Sequence, residues 1–212
     1  MSDTAYFVGP LERPGPGVLL LHSWWGLTGG MKLTADRLAD EGFTVLAPDL
    51  NEGVTFEDQE EARRHLEEAD PNRLARVTLD SLAVLVERSP GGSVGVVGYS
   101  MGASLGMWAS VRRPEAVAAV VAFYGTQIID FAGSRSAYQV HAAGVDELVD
   151  DDELSFMEAT MGLEGLELQV FRYPEVGHWF AERGAAGYHS GAAERAWERA
   201  VGFLRDRLSV SG

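Results

Sequence analysis

Cysteine is absent from all 212 residues. That excludes a disulfide framework, a thiolate metal site and a cysteine nucleophile. A chain without cysteine suits a reducing compartment, so a cytoplasmic location is the expectation. Basic side chains are scarce, with 17 Lys and Arg against 32 Asp and Glu, for a net charge of −15. Such a surface repels phosphate backbones, so nucleic acid is not expected as a partner. Long apolar runs are also missing. The longest, Val117–Phe123, falls far short of the ~20 residues a membrane span requires. The first ten residues, MSDTAYFVGP, have neither the basic nor the apolar region of a signal peptide. No internal repeat and no low-complexity segment is found. What is present in excess is acid, concentrated in Glu57–Asp70 and Asp146–Glu158, which read as solvated helix faces. This charge disfavours a strongly anionic substrate unless nearby arginines offset it.

The length suits one α/β domain over residues 1–212. Apolar runs of strand length are predicted at Val18–His22, Thr44–Ala47, Val94–Gly98, Val117–Phe123, Tyr138–Ala142 and Leu166–Tyr173. Helical patterns fall between them, at Met31–Glu41, Phe56–Ala69, Asn72–Arg88, Met101–Arg113 and from about Asp150, with a closing helix over Ala192–Leu208. This alternation argues for a mostly parallel central sheet with helices on both faces. Ligands then bind outside the carboxyl ends of the strands, so functional residues should sit just after strands. Tyr124–Ala137 is a short connection, so no large cap domain is expected.

The pattern G-x-S-x-G marks a nucleophile elbow, a tight strand-to-helix turn that lifts a serine hydroxyl above the sheet. The chain matches it three times, around Ser93, Ser100 and Ser104. Ser93 precedes a strand and Ser104 lies inside a helix. Ser100 alone has a β-rich run before it and a helix after it, which makes the fold an α/β-hydrolase and Ser100 the candidate nucleophile. The plainer alternative for Ser100 is a helix N-cap.

A serine needs a base. His178 follows the strand Leu166–Tyr173 across the short loop Pro174–Gly177, at the sheet edge that carries the elbow. His189 is the runner-up. His65 reads as solvated, and His141 as a hydrogen-bonded core residue. His22 ends the first strand and is expected to shape the pocket. The acid should lie between Ser and His in the chain. Asp130, Asp146, Asp150, Asp151 and Asp152 qualify, and Asp146 is favoured because it follows a strand directly. An oxyanion hole needs two backbone N–H groups. Met101 follows the nucleophile, and Trp24 lies in the loop after the first strand. Trp24 and Trp25 at the strand edge also suggest an apolar pocket.

These residues resemble the dienelactone hydrolase family. The matching stretches are Val18–Gly26, Gly42–Leu50, Val94–Gly102, His141–Val149 and Tyr173–Tyr188. The resemblance implies a compact α/β-hydrolase without a large cap and places the triad on Ser100, Asp146 and His178. Archetypal members use cysteine at the elbow, where this chain has Ser100. They carry a glutamate where Ser23 stands. They hold a substrate carboxylate with two arginines; one position aligns to Glu182, beside Arg183, and the other falls near Arg63 or Arg64.

The sequence is therefore read as a serine hydrolase of small esters or lactones that works through an acyl-enzyme, with no metal or organic cofactor. Ser23, His22, Trp25, Tyr99, Trp179 and Arg183 are expected around the pocket. The expected partner is a small-molecule ester or lactone, with no membrane association, in a monomer or homodimer. A thioesterase, an acyltransferase or a non-catalytic binding protein of the same fold are the alternatives.

Overall fold

The computed structural model describes residues 5–10 and 13–208. The first four residues of the amino-terminal stretch discussed above lie outside them. Seven strands form one sheet: β1 (Tyr6–Val8), β2 (Gly17–Leu21), β3 (Thr44–Ala47), β4 (Val94–Tyr99), β5 (Val117–Phe123), β6 (Ala137–Val145) and β7 (Leu168–Gly177). Their order is β1-β3-β2-β4-β5-β6-β7. Every pairing is parallel except β1 with β3. β1 was not expected, because three residues in a proline-rich segment are too few to show a period.

Both faces of the sheet are apolar, as buried parallel strands require. Val18 and Leu20 point to one side, where they pack with Met31, Ala35 and Leu38 of α1 (Gly29–Asp40) and with Ala196, Val201 and Leu204 of α6 (Ser190–Leu208). Leu19 and Leu21 point to the other side. They share that core with Leu82 and Leu85 of α3 (Pro71–Arg88), Ala103 and Met107 of α4 (Met101–Arg112), and Met157 and Met161 of α5 (Asp151–Leu163). Burying each Val, Leu or Met among them contributes about 1.5–3 kcal/mol.

Helix starts follow from local chemistry. Asp70 accepts from Asn72 N–H ahead of Pro71, at the first position of α3. Asp150 caps α5, and Asp151, Asp152 and Glu153 fill its first turn, where carboxylates meet the positive end of the dipole. The helix predicted over Phe56–Ala69 is shorter. α2 spans Gln59–Glu68, because Asp58 accepts from Glu61 N–H and starts the helix there. β7 differs more: Pro174–Gly177, predicted as a loop, continues the strand. β7 is an edge strand, where a proline without an N–H is tolerated. No described helix is long and apolar enough to cross a membrane.

Candidate active site

β4 ends at Tyr99 and α4 begins at Met101, so Ser100 alone makes the turn. Its backbone sits at φ 51°, ψ −114°, a conformation that side-chain-bearing residues rarely adopt and that marks stored strain. The flanking glycines are sterically required. A Cβ on Gly98 would lie 2.4 Å from Gly102 O, and one on Gly102 would lie 2.3 Å from Leu21 O. The Ser100 hydroxyl makes no capping bond to α4. Its Oγ lies 2.9 Å from His178 Nε2 instead.

β6 and β7 bring the next two residues together. Their pairing slips at Gly144 and resumes at Val145 opposite Gly177. Asp146 and His178 therefore leave adjacent strands side by side. A Cβ on Gly144 would lie 2.3 Å from Pro174 Cα, so the bulge needs glycine. His178 Nδ1 donates to Asp146 Oδ1 at 2.7 Å and to Oδ2 at 2.9 Å. Asp146 Oδ1 also accepts the N–H groups of Leu148 and Val149, which fix the carboxylate. The acid holds the proton at Nδ1, which leaves the Nε2 lone pair facing Ser100.

The other histidines are placed elsewhere. His189 Nδ1 accepts from Ala192 N–H at the start of α6, so it caps that helix. His141 stacks on Phe123 and bonds Tyr173 and Gln139. His65 is half-buried against Phe56, rather than solvated.

A cleft of about 310 Å³ opens over Ser100 and His178. Trp24, Met101, Ser104, Tyr124, Leu148 and Glu153 are among its walls. Tyr124 was not expected there. Directly after β5 it adopts φ 38°, and its ring centroid lies 4.8 Å from that of His178. Its position beside the elbow strand was the available signal. Ser104 is a wall residue as well, with Oγ donating to Thr126 O.

Six residues expected around the pocket do not line this cleft, and each has a physical reason. His22 is fully buried. Its Nε2 accepts from Leu50 N–H and its Nδ1 faces Ser23 O at 2.6 Å, so it props the Trp24 loop from behind. Ser23 is buried and donates to Glu182 Oε1 at 2.9 Å. Trp25 and Trp179 pack behind Trp24 as an aromatic cluster, with centroids 5.2–5.9 Å apart. Tyr99 stacks on Phe123 on the α1/α6 side of the sheet. Arg183 reaches over the Tyr188 ring, 5.5 Å from its centroid.

Glu182, which aligns to an arginine of the archetypes, is a buried charge. It is 3% exposed, and its Oε2 has no hydrogen bond among the described residues. Burial pushes its carboxyl up to about 7, against the Ser23 and Tyr124 hydroxyls, which favour the ionised form. Among the described residues no group of three His, Asp or Glu is arranged to hold a metal ion.

The profile described as "Dienelactone hydrolase family" matches residues 4–208. Protein usf of Aquifex pyrophilus is 32% identical over 208 residues, covering 92% of this chain and 90% of that protein. Carboxymethylenebutenolidase of Pseudomonas putida is 27% identical over 209 residues, covering 92% and 87%. The crystal structure of a dienelactone hydrolase-like promiscuous phosphotriesterase from metagenomic libraries superposes with a TM-score of 0.82 at 22% identity, covering 97% of this chain and 99% of that one. This last likeness shows the shared fold.

Proposed function

The chain belongs to the dienelactone hydrolase family, and on that premise we propose that it hydrolyses a small uncharged ester or lactone through an acyl-enzyme on Ser100. The observation that carries this reading is the hydrogen-bond chain Ser100–His178–Asp146 at the floor of an open cleft. His178 Nε2 takes the Ser100 proton as Oγ attacks the carbonyl carbon. Asp146 keeps the imidazole in the tautomer that can accept and stabilises the imidazolium that forms. Met101 is the first residue of α4, so its N–H has no intrahelical acceptor and suits a developing oxyanion. Trp24, on the cleft wall, offers the second N–H. The imidazolium then protonates the leaving alkoxide. Water, deprotonated by His178, releases the acyl group. Ser23 and Glu182 pair with each other where the archetypes have glutamate and arginine, and the chain has no cysteine, which together support a serine mechanism.

A fluorophosphonate probe tests the assignment. Peptide mapping should find the label on Ser100, and Ser100→Ala should lose both label and ester turnover. Label on Ser93 or Ser104, or turnover that survives Ser100→Ala, overturns the reading.

A further inference from the structure

The cleft over Ser100 does not end at its own rim. A second hollow of about 520 Å³ adjoins it, and the two share Leu66, Met101 and Ser104 as walls. This groove runs between α3 and α4. Met101, Leu105 and Trp108 lie on one face of α4 at helical spacing, opposite Leu74 and Ala75 of α3. From Met101 to Trp108 is seven residues, or about 10 Å along the helix. No residue lining the groove is charged, although 23% of the chain is. Asn72, Ser104 and Gln127 supply its polar contacts. Gln127 is tied down by donating to Ser104 O. An uncharged apolar channel that opens onto a nucleophile is suited to a chain attached to the reacting carbonyl.

We propose that the groove between α3 and α4 binds a linear apolar arm of the substrate, which makes the preferred substrate an uncharged ester with a medium-length alkyl or acyl chain. This rests on the reading of Ser100 as nucleophile. The arm leaves the ester at the elbow, passes between Leu66 and Met101, and lies along Leu105 towards Trp108. Apolar transfer supplies the selectivity, at about fourfold in kcat/KM for each methylene that enters the groove. The gain stops when the arm reaches the Trp108 end.

The test uses p-nitrophenyl esters from acetate to octanoate, and in parallel the acetates of alcohols from ethanol to octanol. One series should climb steeply, and which one climbs assigns the arm to the acyl or the alcohol side. The ratio of kcat/KM for the longest over the shortest member should fall at least tenfold in Ala75→Phe, which fills the groove. Asn72→Trp, at an exposed rim position, gives the same readout if Ala75→Phe does not fold. Flat profiles in both series overturn the proposal, as does an undiminished ratio in a folded variant. A dimer that dissociates in Ala75→Phe also overturns it, since the groove is then a face between copies. Hydrolysis that depends on Ser100 but ignores chain length refutes the groove alone. Hydrolysis that survives Ser100→Ala refutes the nucleophile instead.

Discussion

Two buried ionisable side chains, His141 and Glu182, are moved in opposite directions by the same cause. Loss of water pushes the His141 imidazole down from 6.5 to about 3, with the nearby Arg199 charge adding to the effect. The same loss pushes Glu182 up from 4.5 to about 7. As pH falls from 6.5 towards 3, the unfolded chain binds a proton at His141 that the folded chain refuses, so stability drops. As pH rises from 4.5 to 7, the unfolded chain releases the Glu182 proton first, so stability drops again. Between 4.5 and 6.5 the two slopes oppose each other. Urea midpoints measured from pH 4 to 8 should show Glu182→Gln removing a loss on the order of 3 kcal/mol between pH 4.5 and 7, and a midpoint slope unchanged from the parent would contradict the burial argument. On the proposed mechanism the Asp146 carboxylate acts on rate instead. Asp146→Asn should keep the thermal midpoint and lower kcat about 10⁴-fold, because the wrong tautomer then faces Ser100. Normal turnover in Asp146→Asn with a dead Asp130→Asn or Asp150→Asn would move the acid elsewhere. Residues that directly follow strands were legible in the sequence for this reason: Ser100, Asp146 and His178 each leave a strand end. Tyr99 and Arg183 were not. Alternation along a strand says that two residues point to opposite faces, but not which face opens into a cleft.

At the scale of elements, the bulge shared by β6 and β7 decides the geometry. It sets Val145 opposite Gly177, and Asp146 and His178 follow immediately. Gly144→Ala would push a methyl into Pro174. A displacement of about 1 Å there should cost on the order of 10²-fold in kcat, with a smaller loss in thermal midpoint; kcat within twofold of the parent would show that the bulge absorbs the methyl. β2 to β5 and the helices between them were legible, because apolar runs of strand length alternate with helical patterns. The end of β7 was not. Pro174 and Gly177 read as a turn in any local window, and only pairing to β6, a long-range contact, makes them strand. The aromatic cluster of Trp24, Trp25 and Trp179 joins loops more than 150 residues apart, so its packing had no local signature either.

At the scale of the whole molecule, the charge of −15 and Glu153 on the cleft wall both work against an anionic ligand. A neutral ester should exceed a matched carboxylated ester in kcat/KM by tenfold or more, about 1.4 kcal/mol. Added salt should narrow the gap, and Arg183→Ala should leave it alone. A tenfold preference for the anionic ester that vanishes in Arg183→Ala would mean that this arginine swings off Tyr188 into the cleft. The order of the sheet adds a consequence for synthesis. Ser100 leaves the central strand, whereas Asp146 and His178 leave the last two strands at one edge. On the ribosome, β4 can pair with β2 and β5 while residues 168–177 are still unmade, since folding during synthesis proceeds from the amino end. The bond from His178 to Ser100 cannot form in such a fragment. On the proposed mechanism a nascent chain is thus unarmed until its final strand docks, because Ser100 still lacks the base assigned to it.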